Sequence, residues 1–158
     1  MAKTQPPSQF IVRNRKAGFK FEVLERLECG IELRGTEVKS LRDGHAEIAE
    51  AWAVIRNGEM FLIGAHINPY EKGNVQNHEP TRPRKLLAHR REIRKWEPKV
   101  RMEGLTLVPL DLHFNARGIA KATIGLVRGK TLGDKRQALK KAEHKREIDR
   151  AMARRRRK

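Results

Sequence analysis

Cysteine is nearly absent from this chain. Cys29 is the only one in 158 residues, which excludes a disulfide scaffold, zinc ribbons and CxxC redox chemistry. Long apolar runs are missing as well. The longest, Met60 to Ala65, is strand-sized, whereas a membrane-spanning helix needs roughly 20 residues. Residues Met1 to Gln9 lack the apolar stretch of a secretory signal, so a reducing, cytoplasmic setting is expected. Aromatic residues make up 5% of the chain, too few for both a core and the stacking platforms of single-strand RNA binders. Acidic residues are also scarce: 19 stand against 36 Lys and Arg, leaving a net charge of +17.

That excess cannot be neutralised within the chain. It favours a polyanionic partner whose condensed counterions are released when Lys and Arg replace them. No long basic amphipathic helix with large apolar residues opposite its charges is present, which argues against a membrane surface. Nucleic acid is the expected partner. With so few aromatics, a folded RNA read by backbone charge and shape fits better than a linear single strand. The charge is also uneven: residues 134–158 hold 12 basic and four acidic groups. Two binding surfaces are therefore expected, one on the body and one on the tail.

Periodicity divides the chain into a lead at residues 1–9, a body at 10–133 and a basic tail at 134–158. Phe19 to Leu27 alternates as a strand and continues through Ile31 and Leu33. Gly35 to Arg42 reads as a short helix with Thr36 as its N-cap, stopped by Asp43-Gly44. Ala49 to Arg56 and Glu59 to Ile67 flank Asn57-Gly58, a type I′ hairpin signal. Asn68 to Pro83 is a polar loop. Arg84 to Trp96 steps at helical spacing up to Pro98, with a second short helix expected from Val100 to Gly104. Leu105 to Phe114, with a bulge at Pro109, and Ala120 to Leu126 read as two further strands. The expected fold is mainly β: a small antiparallel OB-like barrel of about six strands with two or three flanking α-helices. An open α+β sheet is the structural alternative.

The tail is rich in helix formers, yet Leu139 and Ile148 lie nine positions apart and point to opposite sides of a helix. Without a broad apolar face it is expected to be disordered when free and helical along an anionic partner. Catalytic signals are weak. The six histidines show no ligand spacing, no phosphate-binding glycine loop occurs, and Cys29 reads as a small buried residue. Asp111 and His113 share a strand face and could mimic part of a nuclease site, but a surface pair is the simpler reading. No enzyme, metal or cofactor is expected. A constitutive basic ribosomal structural protein is the alternative function.

Several segments together are similar to one family. Asn14-Arg-Lys-Ala17, Gly30-Ile-Glu-Leu-Arg-Gly-Thr-Glu-Val-Lys-Ser-Leu-Arg42, Pro80-Thr-Arg-Pro-Arg-Lys-Leu-Leu87, Gly104-Leu-Thr-Leu-Val-Pro-Leu110, Ile124-Gly-Leu-Val-Arg-Gly-Lys130 and Asp134-Lys-Arg136 occur in the family's order. From about residue 10 onward the chain resembles the SsrA-binding protein (small protein B) family. The resemblance implies an OB-like barrel that binds the tRNA-like domain of transfer-messenger RNA and delivers it to stalled ribosomes for trans-translation. It further implies a tail placed in the decoding centre and vacant mRNA channel, formed by small-subunit rRNA. Elongation factor Tu and alanyl-tRNA synthetase would be indirect partners through the RNA, and a monomer is expected.

By motif, the resemblance carries RNA contact to Glu28, Leu87 and Lys121. The basic residues Arg15, Lys16, Lys39, Arg84, Lys85 and Lys130 are further expected contacts. Leucine in a helix is usually a core residue, so Leu87 also has a structural reading. Asp134, Lys135 and Arg136 match the motif linked to decoding, followed by Lys140, Lys141, Lys145 and Arg146. Where the family commonly has an aromatic or histidine before Asp134, this chain has Gly133, which favours a hinge over a stacking contact.

Overall fold

Strand β2 (Phe21–Ile31) pairs antiparallel with β9 (Ala120–Gly129), and β9 pairs on its other side with β8 (Thr106–Phe114). These three long strands frame the computed structural model, which describes residues 9–73 and 77–156. Three shorter strands complete a ring: β4 (Trp52–Arg56), β5 (Glu59–Ile63) and β7 (Arg84–Leu87), in the order β8-β4-β5-β7-β2-β9 and back to β8. The ring is the six-stranded barrel expected from the sequence, and its closure removes exposed sheet edges. Strand β1 (Gln9–Arg13) adds alongside the C-terminal half of β8. Strands β3 (Ala46–Glu47) and β6 (His66–Ile67) form a separate small ladder.

The β4–β5 turn is the Asn57-Gly58 pair, with φ of 52° and 73°, the two positive angles a type I′ turn requires. Alternation on β9 sends Ala120, Ala122, Ile124 and Leu126 into the core. Bulges then swap faces. Registers shift between Val23 and Glu25 on β2 and between Pro109 and Asp111 on β8. Phe21, Val23 and Leu110 therefore pack outside the barrel with Ala17, Val108 and Val127. Leu27, Cys29, Leu112 and Phe114 pack within it. Leu110 does not share the inner face of Leu112 and Phe114, because the bulge inserts a residue between them.

Several sequence expectations change. Residues 1–8 of the lead lie outside the described residues, and Gln9 opens β1, a short apolar run hidden beside the Pro-rich start. Phe19 belongs to a helical turn, α1 (Ala17–Lys20), so β2 begins two residues later. Helix α2 (Gly35–Arg42) is capped from Arg34, whose backbone N–H donates to Glu37 Oε1 at 3.0 Å. Thr36 Oγ1 instead meets His78 Nδ1 at 2.9 Å, and His78 Nε2 meets the Ile67 carbonyl at 2.9 Å. This ties the polar loop to α2. Arg84 to Leu87 is strand rather than helix: Leu86 is buried and Leu87 exposed, a two-residue period too short to outweigh the helical spacing that follows. The helix α3 runs Arg90–Met102 straight through Pro98.

Contacts on both sides of Pro98 hold α3. Trp96 Nε1 donates to Glu25 Oε2 at 2.7 Å, and Lys99 Nζ donates to Glu25 Oε1. Ile93 and Trp96 are buried in the core. A second tie is fully buried: Arg84 pairs with Glu37, donates to the Ala65 carbonyl at 2.8 Å and to the Pro80 carbonyl at 2.9 Å, while Arg82 also reaches Glu37. Burial pushes the Glu37 carboxyl up, but hydrogen bonds from Arg84, the Arg34 backbone and Arg82 leave it below its ordinary value. The boundary expected after Gly133 falls inside a helix, α4 (Leu132–Arg156), which touches the body at α1. Among the described residues no helix is long and apolar enough to cross a membrane.

Two outcomes follow. Arg84→Met leaves Glu37 buried without its main partner and is expected to destabilise by about 3–5 kcal/mol in urea unfolding; a change within about 0.5 kcal/mol contradicts the tie. Lysine and tryptophan hydrogen bonds lower Glu25 from 4.5 to about 2. Its contribution is therefore present above the unfolded carboxyl value and is lost as pH falls through the folded one. Acidification from about pH 5 to about 2 should release Trp96, read by near-UV circular dichroism. Glu25→Gln should remove that step; an unchanged step assigns it elsewhere.

Candidate nucleic-acid interface

Opposed residues of an antiparallel pair point to the same side of a sheet. Gly30 lies opposite Leu87 on one flank and Lys121 on the other, and Lys121 lies opposite His113. One row across the outside of the barrel is thus Leu87, Gly30, Lys121 and His113. The neighbouring row is Glu28, Thr123, Asp111 and Arg13, by the same registers. The structure therefore brings Glu28, Leu87 and Lys121 onto one face from three different strands. Leu87 is 52% exposed, so its structural reading as a core leucine does not hold. It leans over Gly30, where a Cβ would sit 3.1 Å from Leu87 Cβ; the absent side chain makes room for the leucine.

Beneath this face Cys29 is fully buried, and its thiol is pushed up to about 12 by burial, which makes it an inert core group. On the face itself, His113 Nδ1 is 2.7 Å from Asp111 Oδ1 and Nε2 is 3.2 Å from Glu28 Oε2. Thr123 Oγ1 donates to Asp111 Oδ1 at 3.0 Å. Asp111 and His113 do share a face, but Asp111 Oδ1 and both ring nitrogens of His113 are engaged within the group formed with Glu28 and Thr123. Among the described residues no cluster of three or more His, Cys, Asp or Glu is placed to hold a metal.

Beside Leu87 a cavity of about 460 Å³ opens between the Asn57-Gly58 turn, Lys85 and the first turns of α3, lined there by Arg90 and Arg94. Lys85 Nζ donates to Glu59 Oε1 at 3.0 Å. Arg90 and Arg94 were not among the expected contacts. Their signal was the four-residue spacing that puts both on one helix face.

The remaining candidates are elsewhere. Arg84 is 0% exposed and committed to Glu37, so it has no surface to offer a phosphate and leaves the set. Lys130 Nζ donates to the Gly18 carbonyl at 2.8 Å, and Lys16 pairs with Glu50 at 3.4 Å. Arg15 is exposed beside them. Phe21 pairs with Gly129 and Gly30 with Lys121, so this corner and Lys121 are separated by most of the β2 length, roughly 30 Å. Lys39 lies over the Tyr70 ring, 5.4 Å from its centroid. Helix α4 starts at the Lys130 end. Asp134 falls in its first turn, Lys135 is half-buried, and Arg136, Lys140, Lys141, Lys145 and Arg146 are exposed. Arg157 and Lys158 lie outside the described residues.

Comparison with known proteins gives one family. The model for the SmpB protein family matches residues 11–154. A curated SsrA-binding protein of Thermosynechococcus vestitus is 52% identical over 143 residues, covering 90% of this chain and 93% of that protein. An SsrA-binding protein of Gloeothece citriformis is 48% identical over 155 residues, covering 98% and 99%. Among solved structures, a chain described with "tmRNA-SmpB: a journey to the center of the bacterial ribosome" matches with a TM-score of 0.66 and 47% identity, covering 80% of this chain and 87% of that one.

Gly30→Val places new carbons against Leu87 and is expected to cost about 1–3 kcal/mol in equilibrium unfolding. A variant as stable as the parent would show that the row is not closely packed.

Proposed function

The chain belongs to the SmpB family, and from that premise we propose that it binds the tRNA-like domain of transfer-messenger RNA and carries it to stalled ribosomes for trans-translation. What supports this reading most is one observation: Glu28, Leu87 and Lys121 stand side by side on the outside of the barrel although they are far apart in sequence. Lys121 supplies charge to a phosphate, and Leu87 supplies an exposed apolar contact. Glu28 accepts hydrogen bonds from base amines or ribose hydroxyls. Lys85, Arg90 and Arg94 extend the cationic surface along the cavity edge. No bond is made or broken; the protein contributes position and charge.

The second surface in this reading is the tail. Helix α4 leaves the body at the end opposite Lys121, with its cations exposed along most of its length. Its apolar residues Leu139, Ile148 and Met152 remain exposed rather than docked on the barrel. Such a helix gains most of its stabilisation from an anionic groove, which the decoding centre and empty mRNA channel provide. Elongation factor Tu and alanyl-tRNA synthetase then act on the same RNA, and the protein works in the cytoplasm as a monomer.

The two surfaces are separable by mutation. Lys121→Ala is expected to weaken binding to a transcribed tRNA-like domain about tenfold and to lower the salt slope by about one, measured by fluorescence anisotropy. Lys135→Ala with Arg136→Ala should leave that affinity within about twofold yet abolish peptide tagging in a reconstituted stalled-ribosome assay. Equal loss of RNA affinity in both variants contradicts the division. Stoichiometric retention on all ribosomes after a high-salt wash would instead indicate a constitutive ribosomal component.

A further inference from the structure

Resting on the RNA-binding reading, we propose that His113 is a positioning residue of that surface. It fixes the Glu28 carboxylate for RNA through a proton shared between His113 Nε2 and Glu28 Oε2. His113 is 4% exposed, whereas the Glu28 side chain is 57% exposed. The buried ring therefore holds a carboxylate that stands in solvent. Nδ1 lies 2.7 Å from Asp111 Oδ1, the same oxygen that accepts the Thr123 hydroxyl at 3.0 Å. An ionised carboxylate only accepts, so Nδ1 carries a proton toward Asp111.

A neutral imidazole has no second proton to give. Nε2 would then present a lone pair to Glu28 Oε2 at 3.2 Å, and the contact would repel. A proton between the two atoms resolves this. The charged groups around the ring are Glu28 from β2, Asp111 on β8, Lys121 from β9 and Arg13 from β1. With Oε2 engaged, Glu28 keeps Oε1 for a ligand on the face it shares with Lys121 and Leu87. Its side-chain freedom is already spent before RNA arrives, which is preorganisation.

The test is a mutant cycle on the full-length chain, read by anisotropy against a transcribed tRNA-like domain, with thermal unfolding as the folding control. His113→Leu removes both contacts, His113→Asn keeps only a donor toward Asp111, and His113→Gln keeps a donor able to reach Glu28. Leu and Asn are expected to weaken binding about tenfold, and Gln by no more than about twofold. In a Glu28→Gln background His113→Leu should add nothing. An unchanged affinity in His113→Leu, or an equal loss in the Glu28→Gln background, overturns the proposal. A wild-type protein with no preference for the tRNA-like RNA over random oligonucleotides overturns the RNA reading itself, which separates the two failures.

Discussion

Everything in the molecule depends on β9 pairing on both sides. Because it joins β2 along one edge and β8 along the other, the sheet closes into a ring and a chain that is 35% charged buries its few apolar side chains without covering sheet edges by helices. The closure also fixes direction. Residues at the Gly30–Lys121 end are displayed outward from three adjacent strands, while the chain leaves β9 at the opposite end to begin α4. The separation between the Lys121 face and the tail is a consequence of strand length rather than of a linker.

The bulges decide which residues are available. Without the register shift between Val23 and Glu25, the parity that puts Leu27 and Cys29 in the core would also carry Val23 there. Instead Val23 closes a small outer cluster under α1, and Glu25 receives Trp96 and Lys99 from α3. The shift on β8 similarly puts Leu110 outside and returns Leu112 and Phe114 to the core. The outer surface is thus apolar near α1 and polar near Lys121, and the polar end is held by hydrogen bonds among Glu28, His113, Asp111 and Thr123.

Much of this was legible in the residues. The alternation of Ala120 to Leu126, the Asn57-Gly58 turn and the bulge at Pro109 are local signals, and the structure follows each. The errors share a cause: short elements whose identity is set by distant partners. Arg84 to Leu87 is a strand because β5 and β2 leave a gap for it, which no four-residue pattern encodes. Arg84 looked like a phosphate ligand because charge is visible in sequence and burial against Glu37 is not. Conversely, the juxtaposition of Glu28, Leu87 and Lys121 came from family resemblance; spacing alone could not have joined positions so far apart. Pro98 was a misleading stop, since the Glu25 clamp on either side of it is a long-range feature.

The most direct measurement is amide hydrogen exchange of the full-length protein with and without a transcribed tRNA-like domain. Added protection should be confined to segments 26–31, 84–94 and 119–124, with residues 137–156 exchanging as in the free chain. Protection centred on the tail, or spread evenly over the surface with equal sensitivity to salt, would contradict the assignment of folded-RNA recognition to the Leu87–Gly30–Lys121 face.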